Sequence, residues 1–244
     1  HSILFEEIVA CLGNIKAGDV VMLHGCCHNP CGADLSQEQW RQIRNIALQQ
    51  GFTVFIDLAY QGLGDGLEED VYGARLLAES LPELIVVTSC SKNFGLYRER
   101  TGAMTLVTDS DATTAIATTQ IAAAARAMYS MPPDHGAAVV QLILNDPALR
   151  SEWDEELSTM RGRINGLRAQ LVKQFKAASI DEDFSFIKRE KGMFSFLGVN
   201  VDQVQSLIND YSIYLVNSSR INVAGVNSDN IDYLASSLAA VLTT

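Results

Sequence analysis

Residues 24–32 read His-Gly-Cys-Cys-His-Asn-Pro-Cys-Gly, which places three of the five cysteines and two of the four histidines within nine positions. Thiols and imidazoles at that density would suit a metal site or a redox centre. A structural zinc site, however, shows ligand pairs two to four residues apart with a second pair further along, and no second Cys/His pair completes such a set here. Adjacent Cys26 and Cys27 at a strand end are expected to point to opposite faces. No metal is therefore expected, and the two cysteines read as small buried hydrophobes. The informative triplet is His28-Asn29-Pro30, because a residue before proline is held extended and Asn29 then offers a fixed amide.

Two further clusters carry chemistry. In "FIDLAYQG" (55–62), Asp57 is the one carboxylate at the end of an otherwise apolar run. Alone it would read as a helix N-cap or a solvated loop aspartate, and Tyr60 alone as a half-buried aromatic. In "SCSKNFGLYRER" (89–100), Ser89, Ser91, Lys92, Arg98 and Arg100 crowd one stretch. It is neither a Gly-x-x-x-x-Gly-Lys phosphate loop nor a Gly-x-Gly-x-x-Gly turn. A lysine beside hydroxyls and an arginine suits an imine-forming amine next to a phosphate.

The elements that must hold these residues follow from the apolar pattern. Short valine- and isoleucine-rich runs at 19–26, 52–60 and 84–90 read as buried strands, with a fourth at 102–107. Between the first two, "LSQEQWRQIRNIALQQG" has Ser36 as N-cap and Gly51 as stop for a helix, and another helix fits 69–80. Alternating strands and helices, with the strands covered on both faces, imply an α/β fold with a mostly parallel sheet. Ligand-binding residues in such sheets gather at the carboxyl ends of strands, and the three polar clusters follow three successive strand ends. From 109 to 178 the pattern is helical, broken at "SMPPD" (130–134), and 148–178 reads as one long helix or two joined ones. A smaller α+β unit follows, with strands expected near 184–189, 193–197, 213–217 and 221–224 and a last helix near 227–242. The boundary is placed at 155/156.

The net charge of −11 argues against a nucleic-acid or anionic-membrane surface, and the longest apolar stretches are too short or too charged to span a bilayer. An odd cysteine count without framework spacing fits a reduced, cytoplasmic protein. The chain opens on His1 with no signal peptide, and a processed or truncated piece is the expectation.

"HNPCG", "DLAYQG", "SCSKNFGLYRERTGA" and "SSRINVAG", in this order, resemble the signature blocks of fold-type I, class I aminotransferases that use pyridoxal 5′-phosphate. The resemblance spans essentially the whole chain and is strongest to the aspartate/aromatic amino acid subgroup. It implies that residues 1–155 are the C-terminal part of the large cofactor-binding domain and 156–244 the small C-terminal domain. It implies that Lys92 holds the cofactor as an aldimine and later moves a proton, that Asp57 pairs with the pyridine nitrogen, and that Asn29 and Tyr60 hydrogen-bond the ring oxygen. Ser89 and Arg100 match phosphate ligands. Arg220 matches the grip on the substrate α-carboxylate, and Phe194 lines the substrate pocket. Arg126 matches an arginine that reaches the neighbouring subunit of a homodimer and meets a side-chain carboxylate. His24 and His28 match histidines beneath the ring. Cys31 stands where the family usually has threonine, and Met131 where asparagine or serine is common.

The implied reaction is transamination between an aromatic or dicarboxylic L-amino acid and 2-oxoglutarate. A strict aspartate aminotransferase is the alternative, with a lyase on the same fold or a non-catalytic cofactor-binding module ranked lower. The family's N-terminal arm, first strands and ring-stacking aromatic have no counterpart in the chain. An inactive piece with an unpaired sheet edge is therefore expected.

Overall fold

The computed structural model describes residues 2–243. After helix α1 (Phe5–Leu12), strands β1 (Val20–His24), β2 (Thr53–Leu58), β3 (Leu84–Ser89) and β4 (Gly102–Val107) form one sheet in sequence order. The first three are parallel and β4 is antiparallel to β3. Helices α2 (Gln37–Gln50) and α3 (Tyr72–Ala78) make the crossovers. α2 starts and stops on the residues expected: Ser36 and Gln39 form a reciprocal capping box, and Gly51 ends the helix at φ +75°.

The register sorts the side chains into two faces. Val54, Ile56, Leu58, Leu84 and Val86 are buried on one face. The opposite face carries Met22, Phe55, Val87 and Met104 and ends in His24, Asp57 and Ser89. The expectation that both faces are covered needs correcting, since Val20, Met22 and Met104 on this second face are exposed.

Helices α4 (Asp111–Tyr129) and α5 (His135–Asn145) follow, separated where the proline pair lies. α6 (Pro147–Ala177) then runs unbroken through position 155, with Asp146 accepting from the amides of Ala148 and Leu149 as its N-cap. Against it pack α7 (Phe186–Arg189) and α9 (Ile231–Leu242), with α8 (Val201–Tyr211) packed on α9. Strands β5 (Phe194–Phe196) and β6 (Arg220–Asn222), on either side of α8 in the chain, pair antiparallel. Two strands expected from sequence are absent. Residues 186–189 form a helical turn that buries Phe186 and Ile187. Residues 213–216 lie outside any strand or helix, with Tyr214 81% exposed. The apolar run at 213–216 pairs with no strand among the described residues.

Among the described residues, no helix is long and apolar enough to cross a membrane.

Candidate active site

Strand register brings the first two clusters together. His24 on β1 pairs directly with Asp57 on β2, and the amide of Gly25 donates to the Asp57 carbonyl at 2.8 Å. Asp57 pairs with Val87 on β3, so Ser89, two residues on, emerges on the same face. Ser89 in turn pairs with Gly102, where a Cβ would lie 2.4 Å from the Thr88 carbonyl oxygen. Only glycine allows that approach, which ties the start of the lysine loop to its end.

From these strand ends a continuous line of side chains crosses the mouth of the sheet. Lys92 Nζ sits 4.5 Å from the centre of the Tyr60 ring. The Tyr60 hydroxyl accepts a long bond from Asn29 Nδ2 at 3.4 Å. Asn29 Oδ1 accepts from an Arg220 guanidinium nitrogen at 3.2 Å. The Arg220 guanidinium lies 4.7 Å from the Phe194 ring centre. Residues separated by 191 positions thus meet through one amide. Burial is the main reason that the Tyr60 hydroxyl is pushed above its ordinary pKa, with the nearby Asp57 carboxylate adding to it. It stays a phenol, able to donate. Among the described residues, neither the Asp57 carboxylate nor the Lys92 amine has a hydrogen bond or ion pair.

The lysine loop is held from α6. Trp153 Nε1 donates to the Asn93 carbonyl at 2.8 Å, and the Trp153 and Phe94 rings stack at 4.5 Å. Arg100 is exposed, its backbone at φ +53° and its guanidinium donating to the Tyr97 carbonyl. Arg126, on α4, is exposed, and among the described residues its side chain makes no hydrogen bond or ion pair. Met131 is 75% exposed.

The histidines form their own group. The His24 and His28 rings are 4.3 Å apart, and Cys31 Sγ meets His28 Nδ1 at 3.1 Å. They border a cavity of about 460 Å³ under α1. Burial lowers the pKa of His28 and raises that of Cys31, so both favour the neutral form. Asp34 receives the amides of Cys27 and His28 at 2.7 and 2.8 Å and fixes the start of this loop.

The opposite-face reading of Cys26 and Cys27 is corrected by the structure. β1 ends at His24 and Cys27 turns to φ +51°, so both thiols and the Asp70 carboxylate have atoms within 4.8 Å of one another. Asp70 is already saturated by the amides of Gly62, Gly64, Asp65 and Gly66. Its carboxylate serves the 62–66 turn.

Several residues escaped the sequence reading. Asp34, Asp70 and Trp153 act on loop backbone and leave no motif. Arg168 did leave a signal: it falls in the apolar seam Leu157, Ile164, Leu171, Phe175 of α6, where a charge is out of place.

The sheet, the polar strand ends and the α/β unit behind them define a fold with a ligand mouth at the carboxyl ends of parallel strands. The family model for aminotransferase class I and II matches residues 1–238, and the chain belongs to that family. It is 47% identical over 98% of its length to an aspartate aminotransferase of Haemophilus influenzae, and 45% identical over 97% to an aromatic-amino-acid aminotransferase of Paracoccus denitrificans. Among solved structures, an aromatic-amino-acid aminotransferase from Burkholderia pseudomallei covalently bound to pyridoxal phosphate superposes over 99% of the chain. That match has a TM-score of 0.97 at 42% identity. The chain spans about 60% of the length of each of these relatives.

Proposed function

We propose that the protein containing this chain is a pyridoxal-phosphate-dependent aminotransferase, exchanging an amino group between an aromatic or dicarboxylic L-amino acid and 2-oxoglutarate. One observation carries the reading. The Lys92–Tyr60–Asn29–Arg220 line joins an unpaired amine to a carboxylate-binding guanidinium, with an unpaired Asp57 beside it. Opposite charges left without protein partners at one strand-end mouth fit a ligand with an aldehyde at one side and a protonated ring nitrogen at the other. Ser89 and Arg100, at the loop below, suit its phosphate.

When bound, the cofactor supplies a carbonyl for the amino group and a ring that takes up the electron pair left at the substrate Cα. Lys92 is the amine that anchors it and the base that moves the Cα proton. Asp57 holds the proton on the ring nitrogen by a charge-assisted bond. Tyr60 and Asn29 donate to the ring oxygen. Arg220 grips the α-carboxylate, with Asn29 Oδ1 fixing the guanidinium plane and Phe194 beneath it. Arg126 meets a side-chain carboxylate in the partner subunit of a homodimer, in the cytoplasm. Residues 1–155 belong to the cofactor-binding domain and 156–244 to the small one, with α6 threading both.

Borohydride reduction of the cofactor-loaded full-length protein, followed by peptide mapping, should place the label on Lys92. Aspartate, glutamate, tyrosine and phenylalanine should all turn over with 2-oxoglutarate. A label elsewhere would end the lysine assignment, and inert aromatic donors would reduce the reading to an aspartate enzyme.

A further inference from the structure

Helix α6 reaches the loops of the site through single polar side chains. Trp153 bonds the Asn93 carbonyl, Arg161 the Gly62 carbonyl at 2.9 Å, and Asn165 the Gly64 carbonyl at 3.0 Å. Arg168 does more. Its side chain is 1% exposed, and it donates to the carbonyls of Ile187, Lys191, Gly192 and Phe194 and to Ser195 Oγ, at 2.7–3.2 Å. Buried Glu190 lies 3.5 Å away and accepts from the Ser195 hydroxyl. A guanidinium has five N–H donors in a fixed fork, and here they gather carbonyls from α7, from the 190–193 turn and from the first residue of β5.

The other side of that segment is pressed on the Asn29 loop. Lys191 N donates to the Gly32 carbonyl at 2.8 Å. A Cβ on Gly32 would lie 2.8 Å from the Phe194 carbonyl oxygen, and one on Gly192 would lie 2.5 Å from Cys27 Cβ. Phe194 ends the segment with its carbonyl on Arg168 at 2.7 Å and its ring under Arg220. One arginine on the helix is thus two contacts from the arginine at the mouth.

We propose that Arg168 is a positioning residue for substrate binding: by holding the carbonyls of residues 187–194 it seats Phe194 against Arg220 and sets the α-carboxylate clamp. This rests on the aminotransferase reading. The Lys92 side of the site has its own anchor in Trp153, a separate contact earlier on α6. Loss of the Arg168 fork should weaken carboxylate binding and leave the amine chemistry alone.

The test uses the cofactor-loaded full-length protein and two variants. Arg168→Lys keeps the charge and loses the fork. Arg168→Met/Glu190→Gln removes both charges, so neither is stranded in the core. Both should raise KM for aspartate and for 2-oxoglutarate by about tenfold, with kcat within about threefold. The cofactor absorbance band and its pH titration should be unchanged. Folded variants with an unaltered KM would overturn the proposal. So would failure of both to fold, or loss of kcat and cofactor band together, since each assigns Arg168 to the fold at large. A wild-type protein without transaminase activity would instead remove the aminotransferase reading itself, and the clamp with it.

Discussion

Helices α4 and α6 make an instructive pair. Both are long and both begin on a side chain that caps the first turn, Ser110 and Asp146. α6 buries six side chains over 31 residues, whereas α4 buries none over 19. The apolar residues of α4 stand in solvent, Ile116 at 65% and Met128 at 74% exposed. Its run of alanines favours a helix by local propensity. α6 is helical and also the wall on which the site is hung. The difference divides the site residues too. Lys92, Tyr60, Asn29, Arg220 and Phe194 meet on the α6 side, and Arg126 lies on the uncovered helix.

The largest expected effect comes from the packed helix. Leu157 is fully buried, and a Cβ at Gly62 would lie 2.5 Å from its Cδ2. Leu157→Ala should cost this chain about 2–5 kcal/mol in urea denaturation, while Met128→Ala on α4 should stay within about 0.5 kcal/mol. Comparable losses would break the comparison, because α4 would then be packed. Trp153→Phe sharpens it at a smaller scale. The stack on Phe94 survives and the bond to the Asn93 carbonyl goes, for a loss of about 1 kcal/mol.

Arg126 tests the uncovered side. Arg126→Ala should leave the stability of the chain within about 0.5 kcal/mol. In the full-length protein it should raise KM for aspartate and glutamate and spare the aromatic donors. Verified heterodimers of an Arg126→Ala subunit with a Lys92→Ala subunit should recover part of the dicarboxylate activity, because one hybrid site regains both residues. No recovery would place Arg126 outside the neighbouring site.

The parts legible in sequence share a physical cause. The three parallel strands, the Ser36 and Gly51 ends of α2 and the proline break before α5 are set by local chemistry. The three polar clusters stood out because they terminate apolar strands. What stayed hidden depends on distant partners. The strand expected at 184–189 is a helical turn because Phe186 and Ile187 are buried against α6. The apolar run at 213–216 reads like a strand but pairs with none among the described residues. Arg168 was visible as a charge in an apolar seam, but the carbonyls it serves lie 19 to 26 residues further along. Cys26 and Cys27 were misplaced because one residue at φ +51° undoes strand alternation.

The smallest effect concerns pH, and it should arise on the packed side. His28 is half-buried, with His24 4.3 Å away, the Cys31 thiol on its Nδ1, and Asp34 on its backbone amide. Burial, then the neighbouring His24, lowers its pKa from 6.5. Below pH 6.5 the unfolded chain therefore takes up a proton that the folded chain resists. The stability held above that value is lost as pH falls toward the lowered folded pKa. Asp34 and Glu190 act in the opposite sense. Burial raises both carboxyls, so the folded chain takes up protons ahead of the unfolded one as pH falls through their raised values, which partly offsets the loss. His28→Gln removes the first contribution and leaves the other two. Its denaturation midpoint should fall less than that of the wild type between pH 6.5 and 5. Identical slopes for the two proteins over that interval would show that the imidazole titrates as freely in the fold as in the unfolded chain.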